Sequence, residues 1–406
     1  MSEFLDDIFN KISSGKSLFK NREVLNIDYI PKRILFREDQ IKKIGETLSP
    51  IIKGAKPSNL LLYGKTGTGK TMVARYVINK LNDYIKDQNT IFVYLNCRID
   101  GTLYRVLSEI GDYIGLKIPF TGLSLSEVEK RIFNHLVDKG IKLVLVLDEI
   151  DFLVNNPAKR DVGNDILYDF TRYDSIYNNK SGFNSFITIV GISNDLKFME
   201  YLEGRVQSSL RSEEILFPPY TVEEIKEILK DRVKEAFVEN SVNDEIINLI
   251  AAYSGSEHGD ARRAVDLLRV SGELAEREGR DKIYEKDVQE ALKNIEKDKV
   301  QEAISSLPIH EKAVIFSIAT FPNGETTGHV YLKYQEICNQ LGLQPLTQRR
   351  ISAIINELDM LGLVTAPIIN RGRHGRSKKV QLTVDKNQIV ETLKNDEIFK
   401  LLFNTI

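Results

Sequence analysis

A glycine-rich loop carries the strongest chemical pattern in the chain. Residues 64–71 read Gly-Lys-Thr-Gly-Thr-Gly-Lys-Thr, between an apolar run and a segment with helical periodicity. Glycines let backbone N–H groups converge on phosphate oxygens, and a helix N-terminus adds a favourable dipole. We expect Lys70 to contact the β- and γ-phosphates and the Thr71 hydroxyl to bind Mg²⁺. The loop therefore predicts a nucleoside triphosphate site.

Two carboxylates follow a second apolar run. Leu143–Leu147 is too apolar for an exposed strand, and it ends in Asp148 and Glu149. A buried central strand that delivers charge to a ligand at its carboxyl end has this pattern. Asp148 would hold Mg²⁺ through its water shell, and Glu149 would orient or deprotonate the attacking water. Taken alone, the pair could also be a solvated strand end.

Three further polar residues fit the same chemistry. Asn194 closes the apolar run 186–193, where it would contact the γ-phosphate or a water, although asparagine also begins turns. Arg205 could stabilise transition-state charge in a neighbouring subunit, and its alternative is a surface arginine. Arg262 opens a later helix and would close over the triphosphate, unless it lies on a solvated helix face.

Alternating strands and helices would position these residues. Strand-like runs occur at residues 59–63, 91–96, 143–148, 186–193 and 214–217, with helical patterns between them. This alternation predicts an α/β domain with a parallel sheet that is covered on both faces. After Pro218 and Pro219 the pattern is helical only, from Thr221, with Glu224 at capping-box spacing, to about Glu296.

The last third of the chain predicts a winged helix-turn-helix. Helical patterns at residues 311–321, 331–341 and 347–361 precede strand-like runs at 363–369 and 379–384. Gln348, Arg349 and Arg350 lie near the amino end of the third helix, where they suit base edges and phosphates. An ordinary packed helix with a polar face is the alternative.

A basic segment separates the two predicted strands. It comprises Arg371, Gly372, Arg373, His374 and Arg376, followed by Lys378. Arginines on a glycine-punctuated wing can meet the negative potential of a DNA groove, although a cationic loop also serves solubility or an acidic protein partner. Residues 300–406 hold 12 basic and 10 acidic side chains, whereas the whole chain has a net charge of −2.

Length and composition set the wider frame. We divide the 406 residues into a mobile segment (1–20), an α/β nucleotide-binding domain (21–218), a helical lid (219–298) and a winged-helix domain (299–406). No apolar run approaches the ~20 residues of a membrane span, and the N-terminus does not read as a secretory signal. Two distant cysteines indicate neither a disulfide framework nor a zinc site. We therefore expect a cytoplasmic, nucleoid-associated protein.

The motifs together resemble those of the AAA+ ATPases. Gly64–Thr71 resembles the Walker A motif, and Leu143–Glu149 resembles the Walker B motif. Asn194 resembles the sensor 1 residue, Arg205 resembles the arginine of the arginine-finger box, and residues 259–262 resemble the sensor 2 motif. With 205–210, 214–220 and the winged helix, nearly the whole chain after about residue 20 resembles the archaeal origin-recognition and helicase-loading initiators of the Orc/Cdc type.

The resemblance implies an ATP-dependent DNA replication initiator that binds origin duplex DNA and helps recruit the replicative helicase. Homologous initiator subunits are further partners that it implies. It implies slow, Mg²⁺-dependent hydrolysis of ATP to ADP, with Glu149, Asp148, Lys70, Asn194 and Arg205 taking part. Nucleotide contacts are expected from Tyr29, Ile30, Pro31, Gly67, Thr68, Gly69, Lys70, Thr71, Met72, Asn194, Tyr220 and Arg262. A DNA-contacting insertion is expected at about 101–122, with Lys117.

Three other functions share parts of this pattern. A non-hydrolysing, nucleotide-bound scaffold could use the same fold as a DNA platform, and an ATP-switched transcription regulator would bind a promoter. A clamp-loader subunit is disfavoured because the chain ends in a predicted wing rather than in a helical collar.

Overall fold

The computed structural model describes residues 17–98, 102–156, 160–177, 185–256, 259–370 and 376–403. These residues form two compact units, which are the described parts of Met1–Val288 and of Gln289–Ile406. The predicted boundaries between the four segments stay predictions.

A five-stranded parallel sheet forms the centre of the first unit. Its strands are β1 (Leu60–Tyr63), β2 (Thr90–Asn96), β3 (Lys142–Asp148), β4 (Phe186–Ser193) and β5 (Glu213–Leu216), in the order β2-β3-β4-β1-β5. β4 is buried along its whole length, and β3 is buried after Lys142. Continuous apolar runs form such strands because helices cover both sheet faces. The predicted fold class is confirmed, and all five strands end at one edge.

Helices cover the two faces of this sheet. Their bounds are α1 (Glu38–Leu48), α2 (Lys70–Asn82), α3 (Leu103–Tyr113), α4 (Leu125–Lys139), α5 (Phe152–Asn155), α6 (Arg160–Tyr177), α7 (Phe198–Tyr201) and α8 (Gly204–Leu210). α1 and α2 pack with Leu60 and Leu62 on one face, whereas α3, α4 and α6 pack on the other. Short 3₁₀ helices span Arg22–Leu25 and Ser49–Lys53.

The first helix of the lid begins directly after Thr221, as the capping-box spacing of Thr221 and Glu224 predicts. α9 (Val222–Ala236) starts after Thr221, whose hydroxyl accepts from the Glu224 N–H while the Glu224 carboxylate accepts from the Thr221 N–H. α10 (Asp244–Ser256), α11 (Ala261–Arg277) and α12 (Glu285–Ser306) follow. Leu18 and Phe19 fall inside the segment that the sequence predicts to be mobile, yet they are buried, and Phe19 pairs with Phe237.

The second unit contains the predicted winged helix. Its further helices are α13 (Ile309–Ala319), α14 (Thr327–Gln340), α15 (Gln348–Met360), α16 (Lys386–Lys394) and α17 (Lys400–Phe403). Strand β9 (Arg376–Leu382) pairs antiparallel with β6 (Glu325–Thr326), β7 (Val364–Thr365) and β8 (Ile368–Asn370). The single strand expected at 363–369 is therefore two, because Pro367 has no N–H for the ladder. Among the described helices, none combines the length and apolar character that crossing a membrane requires.

A buried carboxyl group in α4 gives a test of stability. Burial, followed by the charges of Asp169 and Asp165, raises the pKa of Glu129 from 4.5 to about 7, and its Oε1 has no partner among the described residues. The folded state therefore holds a proton that the unfolded chain releases between these pH values, so stability falls as pH rises from about 4.5 to 7. We expect Glu129→Gln to raise the free energy of unfolding by about 2 kcal/mol at pH 8 and to change it little at pH 4. Urea unfolding at both pH values tests this, and a destabilised variant at pH 8 would contradict it.

Candidate nucleotide and DNA-binding sites

A cleft of about 340 Å³ lies at the carboxyl edge of the sheet. Of the residues predicted for catalysis or nucleotide contact, all but two line it: Tyr29, Ile30, Pro31, Gly67, Gly69, Lys70, Thr71, Met72, Asp148, Glu149, Asn194, Tyr220 and Arg262. They come from the chain before α1, the glycine loop, the ends of β3 and β4, and the lid. The exceptions are Thr68 and Arg205.

The lid contacts the tip of the glycine loop directly. Gly67 has a φ of 71°, and a Cβ there would lie 1.7 Å from Asp260 Oδ1. The Ala261 N–H donates to the Gly67 carbonyl at 3.3 Å. Because Arg262 is the next residue, α11 brings its guanidinium to the cleft at the loop. The structure thus places the predicted sensor next to the predicted phosphate loop.

Lys70 is a buried cation in this loop. Its side chain is 5% exposed, and its Nζ donates to the carbonyls of Gly64 at 2.8 Å and Lys65 at 2.7 Å. Burial lowers its pKa to about 8; Asp148 opposes this change, and Arg262 adds to it. An ammonium has three donors, so a third remains for a ligand. A cation whose charge is disfavoured by burial is a suitable partner for a phosphate.

Thr71 and Asp148 together offer the donors that Mg²⁺ prefers. The Thr71 hydroxyl donates to Asp148 Oδ2 at 2.7 Å, and the Glu149 N–H donates to Oδ1 at 2.9 Å. Mg²⁺ usually binds one or two carboxylates plus substrate phosphates rather than a full protein cage. Within the described ranges, no group of three or more His, Cys, Asp or Glu side chains could hold a metal ion. One hydroxyl and one carboxylate fit a cation that is shared with a triphosphate.

Glu149 is held at the mouth of the cleft by the end of β2. Its φ is 52°, which is unusual for a residue with a side chain. The Asn96 amide donates to its Oε1 and Arg98 Nη1 approaches its Oε2, both at 3.4 Å. The carboxylate therefore lies beside the cleft, where it could accept a proton from a water.

Thr68 and Tyr29, two of the predicted nucleotide contacts, differ in whether they reach the cleft. The Thr68 side chain is fully buried, and its hydroxyl donates to the Lys65 carbonyl at 2.9 Å, so it stabilises the loop and does not line the cleft. Tyr29 lines the cleft. Its hydroxyl donates to Glu235 Oε2 at 2.9 Å, and the Arg232 guanidinium lies 4.8 Å from its ring centre. Burial, followed by the bond to Glu235, raises the Tyr29 pKa.

Sequence reasoning missed several residues that position the site. Arg37 is 2% exposed, donates to the carbonyls of Thr68 at 3.0 Å and Pro218 at 2.7 Å, and stacks on Tyr220. Arg75 and Tyr94 also line the cleft. None of the three belongs to a motif, so no spacing in the sequence indicated them.

Arg205 lies on α8, away from the cleft of its own chain. It forms ion pairs with Asp165 at 2.5 Å and Glu203 at 2.7 Å, and its guanidinium lies 5.1 Å from the Tyr168 ring centre. The bonds to Glu203 and Asp165 raise its pKa. Within one chain, this arginine is therefore engaged with neighbouring acids.

The predicted recognition helix presents its polar residues outward. α15 buries Ile351, Ile354, Ile355 and Leu358, and it exposes Gln348, Arg349 and Arg350. The Thr347 hydroxyl caps the helix by accepting from the Arg350 N–H. The Arg350 guanidinium donates to Glu357 at 3.0 Å, so this cation already has a partner.

The wing is described only in part. β8 ends at Asn370 and β9 begins at Arg376, and these residues pair in register. The predicted DNA contacts Arg371, Gly372, Arg373 and His374 lie outside the described residues. Lys378 donates to Asn356, which joins the strand to the recognition helix.

The predicted DNA-contacting insertion, at about 101–122, contains α3 and, after it, most of the loop that leads to α4. Lys117 is exposed in this loop. Phe120 is 95% exposed, which is unusual for a large apolar side chain. Sequence reasoning named Lys117 and missed Phe120, because an isolated phenylalanine reads as a core residue.

Comparisons with known families match all three predicted domains. The model described as "AAA domain" matches residues 54–194, "Cdc6 AAA+ ATPase-type lid domain" matches 226–293, and "CDC6, C terminal winged helix domain" matches 302–392. These assignments agree with the sheet, the lid helices and the winged helix.

Similar proteins cover nearly the whole chain. An "ORC1-type DNA replication protein 1" of Sulfurisphaera tokodaii is 44% identical over 401 residues, and that of Sulfolobus acidocaldarius is 45% identical over 400; 98% of each chain is covered in both comparisons. The solved structure of the Aeropyrum pernix ORC1 protein in complex with DNA is 41% identical, with a TM-score of 0.85, over 95% of this chain and 98% of that one. The chain therefore belongs to the family of ORC1-type DNA replication proteins, the archaeal initiators that its motifs resemble.

Proposed function

We propose that this protein is an ATP-dependent replication initiator that binds origin duplex DNA and helps recruit the replicative helicase. The observation that carries the proposal is the presence, in one chain, of a cleft built from Lys70, Thr71, Asp148 and Glu149 and a winged helix whose recognition helix exposes arginines at its amino end. The relatives named above are replication proteins, and one of them is solved with DNA.

The cleft would bind ATP with Mg²⁺. The glycine loop and Lys70 would hold the phosphates, Thr71 and Asp148 would hold the cation, and Tyr29, Ile30 and Pro31 would lie near adenine. The bound Mg²⁺ would neutralise phosphate charge. Glu149 would orient or accept a proton from the attacking water, while Asn194 and Arg262 would contact the γ-phosphate. Hydrolysis would be slow, so that ATP acts as a conformational timer.

Arg205 would act on the nucleotide of a neighbouring initiator subunit. Its distance from its own cleft supports this role, because an arginine finger is often supplied from a second subunit. It would have to leave Asp165 and Glu203 to do so. This need for a correctly placed neighbour supports slow hydrolysis in the isolated chain.

DNA would be contacted by elements in both units. In the second unit, Gln348, Arg349, Arg350, the wing arginines and Lys378 would bind base edges and phosphates. In the first unit, Lys117 would contact a phosphate, and the exposed Phe120 would insert as an apolar wedge that bends the duplex.

The wedge gives a direct prediction. We expect Phe120→Ala to reduce the bend of a bound origin duplex and to weaken binding about tenfold, because the contacts that the bend permits are lost. Bending can be measured by energy transfer between dyes at the duplex ends. Tyr84→Ala, which removes another exposed aromatic ring of the same unit, serves as the control. An unchanged bend in the Phe120 variant would exclude a wedge.

Crosslinking of the protein to chromosomal DNA in cells tests the initiator function. We expect crosslinking peaks at replication start sites. Such peaks would also show that the protein associates with the nucleoid. Peaks confined to promoters would instead support the transcription regulator. Retention of ATP without phosphate release by the purified wild-type protein, alone and on origin DNA, would support the non-hydrolysing scaffold.

A further inference from the structure

We propose that Tyr94 is a positioning residue of the Mg²⁺–nucleotide site, whose hydroxyl fixes the Asp148 carboxylate in the orientation needed for a cation shared with Thr71. The inference rests on the proposed function of the cleft. It adds a residue that belongs to none of the motifs in the sequence.

Strand register brings Tyr94 to this carboxylate. β2 and β3 are parallel neighbours, and Tyr94 lies opposite Val146, two residues before Asp148. A tyrosine side chain is long enough to reach the diagonal neighbour on an adjacent strand. Its hydroxyl donates to Asp148 Oδ2 at 2.6 Å.

Three donors hold the carboxylate. Oδ2 accepts from the Tyr94 hydroxyl at 2.6 Å and from the Thr71 hydroxyl at 2.7 Å, and Oδ1 accepts from the Glu149 N–H at 2.9 Å. Since both oxygens are engaged, rotation about the terminal bond of Asp148 would break at least one bond. Asp148 is only 6% exposed, so water offers little replacement.

This arrangement can persist when a cation binds. A threonine hydroxyl that gives a lone pair to Mg²⁺ keeps its proton, which can still be donated to Asp148. Without Tyr94, one of the two bonds to Oδ2 is lost, and the carboxylate can turn away. Hydrogen bonds that orient ligands in this way typically contribute 10- to 100-fold to metal affinity.

The ring of Tyr94 is itself held in place. The Arg75 guanidinium lies 4.0 Å from the ring centre, and Arg75 approaches Asp28 at 3.5 Å. Tyr94 and Arg75 both line the nucleotide cleft. The contact with Arg75 keeps the ring in the position from which its hydroxyl bonds to Asp148.

The test compares Tyr94→Phe with the wild type in the full-length protein. Phenylalanine keeps the ring and its contact with Arg75, so thermal unfolding should change little. We expect a fluorescent ATP analogue to bind within about twofold of the wild type without Mg²⁺. The Mg²⁺ concentration that gives half of its effect on nucleotide affinity should rise about 10- to 100-fold.

Tyr173→Phe is the matched control. It removes the hydroxyl of a buried tyrosine in the same unit, which bonds to Ser185 at 2.8 Å away from the cleft. We expect it to leave the Mg²⁺ midpoint unchanged. A wild-type midpoint in Tyr94→Phe would overturn the inference, and so would equal weakening of nucleotide binding with and without Mg²⁺.

Thr71→Ala and Asp148→Asn separate this inference from the proposed function. If both raise the Mg²⁺ midpoint and Tyr94→Phe does not, only the role of Tyr94 fails. If the wild type binds nucleotide without any Mg²⁺ dependence, the proposed Mg²⁺ site fails, and the inference fails with it.

Discussion

Replacing Glu149 by glutamine should leave ATP bound and stop phosphate release. Glutamine keeps the size of the side chain and a carbonyl oxygen that can accept from Asn96, but it cannot accept a proton from water. General-base catalysis typically contributes 10²- to 10⁴-fold, so we expect a loss of that order in single-turnover phosphate release. The affinity for ATP should stay within a few-fold of the wild type, because Lys70 and the glycine loop are unchanged.

Glu129→Gln is the matched control for this experiment. It makes the same substitution in the same unit, at a buried position that does not line the cleft. Its phosphate release should equal that of the wild type. Equal release from Glu149→Gln and the wild type would remove Glu149 from its catalytic role.

Replacing Arg371, Arg373 and Arg376 together by alanine should abolish most duplex binding. Each phosphate contact contributes about 0.9 to the slope of log affinity against log salt. The wing holds five cations, which are Arg371, Arg373, Arg376, Lys378 and Lys379. If each contacts a phosphate, the slope should be about −4 to −5, and the loss of three contacts should reduce its magnitude by about 3. At about 0.1 M salt, the same relation predicts a loss of affinity of about 10²- to 10³-fold.

A charge-matched variant tests whether position matters more than net charge. Three exposed lysines serve this purpose: Lys282 precedes α12, and Lys286 and Lys293 lie within it. Their replacement by alanine changes the net charge by the same amount as the wing variant does. We expect this variant to bind DNA nearly as well as the wild type. A wing variant with an unchanged binding curve and salt slope would exclude the wing from the DNA contact.

The fold could be predicted from the sequence because its signals are local. The run 186–193 has the bounds of β4, and the start of α9 follows from Thr221 as a cap. The prediction of a single strand at 363–369 was wrong, because the structure has two strands there, β7 and β8. Pro367 could have indicated the break, since proline has no N–H for the ladder.

The site could be predicted only where motifs carry it. The glycine loop and the carboxylates after β3 have fixed spacing, and the structure brings them together. Tertiary packing and strand register bring Arg37, Arg75 and Tyr94 to the cleft. Neither produces a motif of fixed spacing that could be recognised in the sequence. Thr68 shows the converse, because it belongs to the motif but directs its hydroxyl into the loop.

The most direct test of the account is the binding of origin duplex DNA in defined nucleotide states, measured by footprinting and by affinity. The account predicts that a non-hydrolysable ATP analogue and ADP give different footprints and affinities in the wild type, and that this difference disappears in Lys70→Ala. Identical footprints and affinities of the wild type with either nucleotide and with none would contradict the claim that the cleft controls DNA binding.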